Sequence, residues 1–543
     1  MAQQGGTATD VTAFSRKASG LLRVAGAWDT FIFNIGLVSV GIAIALNQYY
    51  GPSLYGGASI WVSTVLAAVG MLFAAVTFYL WSITFPRSGG VYIALSRSVS
   101  PAVAFVFTLI ETMILCYYGA FAASLIVTVG FSSFFAAVGS VGGNPTMLEW
   151  AASLSSPDGI FWVGTAVLVA AGALLAAGTR LYFAVQKIMF AIAIVGTAVT
   201  IAVLLFGSRE TFQTNFAALT GLDYDAVIET AKAAGWAPAA FSWDMTIAFL
   251  VWPLLPLLGA VQSVGIGGEV KRVNRSQLFG MVGAVVAAAA MIAVVALLAD
   301  KTFGYDFQAA IAFNSLSGVE GGSIEASIGA APWFTVLAGI LTDNMLLTAI
   351  IMAGFVAWIW FWVPAELAYT TRTMIAWSFD RTAPEWLGYV SNRVHTPVVA
   401  IGLSTAIAIF FMWLIAYAGI AFLTLVEVLL VIWGTAMISA VLFPFTRPQL
   451  YRLSPAAKIT VAGIPVMAIT GLVTTAFFLW VIVALWNDPN AAGPLVAADH
   501  VTLEFWITLG LAVFGTLWYF GIRAYRRTHG IDMDLAFKQI PIE

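Results

Sequence analysis

The sequence predicts an all-α integral membrane protein with twelve transmembrane helices, and three observations carry that prediction. Of 543 residues, 61% are hydrophobic and 9% charged, against about 45–50% and about 25% in soluble domains. Apolar runs of about 20 residues, each long enough to cross a bilayer as helix, recur twelve times. The basic residues gather almost entirely at one end of those runs.

The elements follow in order. Residues 1–20 begin MAQQGGTATDVTAFSRK, polar and Gly-rich with no apolar stretch before Leu21, and read as a cytosolic tail rather than a cleaved signal. The membrane domain is expected over 21–523 and a second cytosolic tail over 524–543. The runs lie at roughly 24–46, 59–85, 99–130, 160–178, 182–206, 244–268, 278–299, 338–371, 398–417, 421–444, 460–486 and 501–522. They are far longer than the roughly ten-residue alternating strands of a membrane barrel. Cys116, the single cysteine, lies inside the third run, so the chain forms no internal disulfide.

With the N-terminus inside and every run crossing, 20 of the 23 Lys and Arg residues face the cytoplasm, and Arg209, Lys232 and Lys301 face outward. Both termini are therefore expected inside, in a multi-pass protein of the cell membrane. The outer loops around 131–159, 207–243 and 300–337 have room for short surface helices or a lid.

Three cytoplasmic segments carry motifs. The first is PRSGGVY at 86–92, between runs 2 and 3; on its own it reads as a turn, with Pro86 ending a helix and Gly89 and Gly90 freeing the backbone. The second, SVGIGGEVKRVNRS at 263–276, closes run 6, and the third, TRTMIAWSFDRTAPEWLGYVSNRVHTPVVA at 371–400, follows run 8. In this order and on this side they resemble the amino acid-polyamine-organocation (APC) family of permeases. The matching residues are the Pro-x-Ser-Gly-Gly-x-Tyr element, Glu269-Val270-Lys271, and the series Arg372, Asp380, Pro384, Thr396 and Pro397, and the resemblance covers about 20–445.

The resemblance implies the leucine-transporter type of fold: an inverted repeat of helices 1–5 (about 21–206) and 6–10 (about 240–445), two appended helices (about 460–522), and breaks in helices 1 and 6. The sequence agrees from its own side. Run 1 carries NIGLVSVG at 34–41, and run 6 carries WPLLPLLGAVQSVGIGG at 252–268 with Pro253, Pro256 and Gly259. A short echo pairs Ser39-Val40-Gly41-Ile42 with Ser263-Val264-Gly265-Ile266. A break at mid-membrane frees backbone amides, which suit a carboxylate, and carbonyls, which suit an ammonium or a cation. By similarity to the family, Asn34, Gly36, Ser39 and Gly41 would surround a substrate α-carboxylate, and Leu257, Leu258, Gly259 and Ala260 its α-amine. The glycines of run 1 also suit close helix packing. The sequence departs from the family in its looser Ser39-Val40-Gly41 and in the lack of an aromatic beside the run 6 break, which bears on which substrate is carried.

Charges inside the membrane are costly and mark function by default. Glu111 lies twelve residues into run 3, roughly 18 Å along a helix and near the membrane middle, and is a candidate substrate contact. Glu366 lies 14 residues before cytoplasmic Asp380 and is the candidate site for the coupling ion, proton ahead of sodium. Glu427 lies early in run 10; for it and for Glu111 the alternative is a structural carboxyl bonded to a neighbouring helix. Arg23 and Asp380 form a candidate inner gate, weak enough to open and close.

His395, His500 and His529 fall outside the runs, which disfavours a histidine metal site in the membrane, and no Walker-type phosphate loop is present. No metal or resident cofactor is expected beyond the transported proton or sodium ion, and no nucleic acid. The expected partners are the lipid bilayer and a small-molecule substrate. The function expected is secondary transport of amino acids or related amines by alternating access. The alternatives are a nucleobase, metal ion or other organic amine as substrate, and a receptor or membrane enzyme on the same fold.

Overall fold

The structure is a computed structural model that describes residues 20–420, 422, 425–488, 490, 494–496, 500–533 and 537. Arg16, Lys17 and Lys538, counted in the charge division, lie outside the described residues.

Among the described residues, 12 helices are long and apolar enough to cross a membrane. Spans 1 to 6 are Ala27–Leu54, Ile60–Thr84, Pro101–Val141, Pro157–Ala177, Thr179–Phe206 and Trp243–Gly265. Spans 7 to 12 are Val273–Phe303, Met345–Phe379, Val398–Ala418, Leu425–Thr446, Val466–Asn487 and Leu503–Thr528. Each coincides with one apolar run, because an apolar stretch of this length must satisfy its backbone internally as helix.

Two runs differ in extent. Span 3 continues through a π-helical segment, Ile126–Ser132, into Ser133–Val141. Run 8 divides into Phe334–Thr342 and Met345–Phe379: Asp343 takes a left-handed conformation (φ 44°) and the Asn344 side chain accepts from Leu347 N, so a new helix is capped at the polar Thr342-Asp343-Asn344. The loops expected to hold surface helices do so at Pro145–Leu154, Arg209–Thr220, Tyr224–Ala233 and Tyr305–Leu316.

Hydrogen bonds between loops show which span ends lie together. Lys271 N donates to Ala25 O (2.8 Å), Val24 N and Ala25 N to Glu269 O (2.9 Å each), and Gly89 N to Gly265 O (2.9 Å). The start of span 1, the link between spans 2 and 3 and the end of span 6 therefore share one end, here the basic end, with Arg87, Arg97, Lys271 and Arg272. At the opposite end, Ser242 N donates to Gly57 O (2.9 Å) and Gly57 N to Tyr305 Oη (3.0 Å). A continuous apolar core joins spans 1, 3, 6, 8 and 10 between the two ends.

Candidate functional site

Spans 1 and 6 are both broken, and the breaks meet. Span 1 consists of Ala27–Val38 and Val40–Leu54, separated by Ser39 in a left-handed conformation (φ 49°, ψ 62°). Such a conformation strains a residue with a side chain, and Ser39 is held there by its hydroxyl, which donates to Trp358 O at 3.0 Å. The second half thus starts at mid-span with no side-chain cap on its N-terminus. Span 6 runs as α-helix over Val251–Leu257 and then tightens into a 3₁₀ helix, Leu258–Gly265. Pro256, two residues before the change, has no N–H to donate to the Trp252 carbonyl and so weakens the last α-turn.

Gly259 is where the two spans touch: a Cβ there would lie 2.5 Å from the Leu37 carbonyl carbon. Asn34 and Ser263 close the contact, with Ser263 N donating to Asn34 Oδ1 (2.8 Å) and Asn34 Nδ2 to Ser263 Oγ (3.0 Å). Gln277 of span 7 joins them, its Nε2 donating to Ser263 O at 3.0 Å. Gly36 and Gly41 face span 8 instead; a Cβ at Gly36 would lie 2.7 Å from the Phe361 ring, and one at Gly41 2.9 Å from the Phe355 ring. Of the residues expected around a ligand, Asn34, Ser39, Leu257, Leu258, Gly259 and Ala260 are buried at this meeting point, while Gly36 and Gly41 allow span 8 to approach.

Two buried carboxyls stand beside the breaks. Glu366 is 1% exposed; its Oε1 accepts from Trp362 Nε1 (2.9 Å) and Gln262 Nε2 (3.4 Å), and its Oε2 has no hydrogen-bond partner. Gln262 belongs to the 3₁₀ stretch, so Glu366 is tied directly to the span 6 break. Glu111, also 1% exposed, accepts at Oε1 from Trp433 Nε1 (2.7 Å) and Tyr369 Oη (3.0 Å). It links spans 3, 8 and 10, the bonded arrangement named above as its structural alternative. Glu427 is likewise bonded, its Oε2 accepting from Trp486 Nε1 at 2.7 Å.

The basic end is closed by ion pairs. Arg372 of span 8 meets Glu269 through two hydrogen bonds, 2.6 and 3.1 Å, with both side chains at most 3% exposed. Asp380, expected to face Arg23, is held by Arg97 through bonds of 2.5 and 3.0 Å. Arg97 wins this position because the short helix Gly90–Ser98 carries it to the end of span 8, whereas Arg23 is exposed ahead of span 1. Lys187 of span 5 pairs with Asp29 of span 1 at 2.7 Å.

The PRSGGVY motif is what brings Arg97 there. Gly89 (φ 114°) starts the short helix from a left-handed conformation, and a Cβ on it would lie 2.6 Å from Ala376. Next to it, the Tyr369 hydroxyl accepts weakly from Val91 N (3.4 Å) while donating to Glu111. The motif is therefore both a turn and a docking element that joins the span 6 end to span 8.

Sequence reasoning missed Gln262, Tyr369, Trp433, Arg97 and the Lys187–Asp29 pair as contacts. Usable signals were present in Gln262, a polar amide inside the interrupted run 6, and in Asp29 and Lys187, charged residues inside runs 1 and 5.

The family model for amino acid permeases matches residues 26–517 of this chain. No curated protein matches it.

Proposed function

Since the chain belongs to the amino acid permease family and is a multi-pass membrane transporter, we propose that it moves amino acids or related amines by alternating access, driven by an ion gradient. The observation that carries this reading is the meeting of two broken spans at Gly259 and Leu37 beside the buried carboxyl of Glu366. The uncapped N-terminus of the second half of span 1 suits a substrate carboxylate. The turn Leu257–Ala260 suits its ammonium. Glu366 carries the coupling ion: it is buried, has no cationic partner among the described residues, and keeps one oxygen without a hydrogen bond. Such a group can take up a proton or hold a cation.

On this reading spans 1–5 and 6–10 are the inverted repeats, the basic end faces the cytosol of a cell membrane, and the ion pairs Glu269–Arg372 and Arg97–Asp380 hold the inner side closed. The loose Ser39-Val40-Gly41 sequence and Leu257-Leu258 favour, as a second reading, a nucleobase in place of an amino acid or amine.

Substrate-induced thermal stabilisation of the purified protein tests the substrate class, across amino acids, polyamines and nucleobases. It is repeated at acid and neutral pH, with and without sodium. A stabilising amino acid or amine whose effect strengthens at acid pH supports proton coupling. Stabilisation by nucleobases alone overturns the substrate class.

A further inference from the structure

Two small voids lie along the second half of span 1, between its break and the opposite end. The one nearer the break is walled by Gly41, Ile44, Thr335 and Trp358, and the outer one by Gln48, Gln308 and Pro332. Phe334 stands in the wall of both and is 5% exposed. Gly41, Ile44 and Gln48 follow at intervals of three and four residues, which is one stripe of a helix, so the voids are stacked along that stripe. Each has room for about one water molecule and none for an amino acid.

Two polar side chains in these walls, Gln48 and Thr335, lack partners. Gln48 is 5% exposed, and neither its Oε1 nor its Nε2 has a hydrogen bond; Thr335 is 1% exposed, and its Oγ1 has none. Buried polar atoms in that state are costly and in native proteins call for an explanation. Hydroxyl and amide oxygens are hard donors, suited to sodium or to a proton carried on water.

Asp300 stands one hydrogen bond from the outer void, and Glu325 is linked to Tyr49, the neighbour of Gln48 in the chain. Gln308 Nε2 donates to Asp300 Oδ1 at 3.1 Å, and Tyr49 shares a hydrogen bond with Ser315 (2.6 Å), which donates to Glu325. Lys301 is turned to the Leu205 carbonyl at 2.6 Å. At the inner end, Trp358 walls the void and its carbonyl holds the Ser39 hydroxyl at the break.

We propose that this stripe of span 1 is a narrow access route by which the coupling cation reaches the break from the opposite end, apart from the substrate. Phe334 is its constriction and Gln48 its first polar contact. The route rests on the reading that transport is ion-coupled.

Gln48→Leu and Phe334→Ala, reconstituted in liposomes, test it. Uptake is driven by a proton gradient in one arm and by a sodium gradient in the other, and substrate exchange at equal ion concentrations is measured beside them. Wild-type uptake should respond to one gradient, which names the cation. Gln48→Leu should lose that response and retain exchange, and Phe334→Ala should leak the same cation without substrate. The route is overturned if Gln48→Leu keeps the gradient response, or if it loses exchange in equal measure. Should Gln48→Leu not fold, absence of a leak in Phe334→Ala overturns it. Wild-type uptake that ignores both gradients instead removes the ion-coupled reading itself.

Discussion

Gly259 has no room for a side chain, since a Cβ would meet the Leu37 carbonyl at 2.5–2.6 Å and Val38 N at 2.8 Å, all backbone that cannot swing aside. Gly259→Ala should therefore cost about 1–3 kcal/mol, read as a lower midpoint of thermal unfolding, and should abolish substrate-induced stabilisation. Gly402→Ala, at a site with nothing within 4 Å, should change neither. Equal behaviour of the two variants would show that the contact between the breaks is not tight. Residues of this kind were half legible. Glu366 and Glu111 stood out as charged letters in apolar runs, whereas their partners Trp362, Tyr369 and Trp433 did not, because an aromatic in an apolar run reads as bulk. Gly36 and Gly41 looked like the break, yet the left-handed residue is Ser39, held by a carbonyl of span 8 that the local sequence does not reveal.

Span 6 is tied to span 8 at the basic end by Glu269 and Arg372, and a buried pair is costly chiefly when only one partner is removed. Glu269→Ala should destabilise the protein by about 3–5 kcal/mol. The double variant Glu269→Ala with Arg372→Met should recover a substantial part of that loss, a coupling that a double-mutant cycle on unfolding midpoints measures. Strict additivity would mean that the two side chains act independently. At this scale the twelve spans were legible because length and apolarity alone decide them. The division of run 8 was marked by the polar Thr342-Asp343-Asn344 and its N-cap residue but was passed over, whereas the π-helical stretch of span 3 leaves hydropathy unchanged. The three motif segments were read one by one as a turn, a span end and a loop. In space they form one cluster, joined by Gly89 to Gly265, Glu269 to Arg372 and Arg97 to Asp380.

In the whole molecule, these contacts concentrate closure at the basic end, while the unpartnered polar atoms of Gln48 and Thr335 lie toward the opposite end. That Arg87, Arg97, Lys271 and Arg272 share one end was readable from sequence, because it depends only on counting across the runs. The pairing of Asp380 with Arg97 rather than Arg23 was not, since it depends on how one short helix docks. The central claim is that a carboxyl beside two meeting breaks couples an ion gradient to substrate movement. Its most direct test is gradient-driven uptake of a stabilising amino acid or amine into proteoliposomes by wild type and Glu366→Gln, with exchange at equal ion concentrations as the control. The account predicts that wild type concentrates substrate under one gradient and that Glu366→Gln loses this accumulation while retaining exchange. Accumulation by Glu366→Gln with an unchanged dependence on the gradient would contradict it.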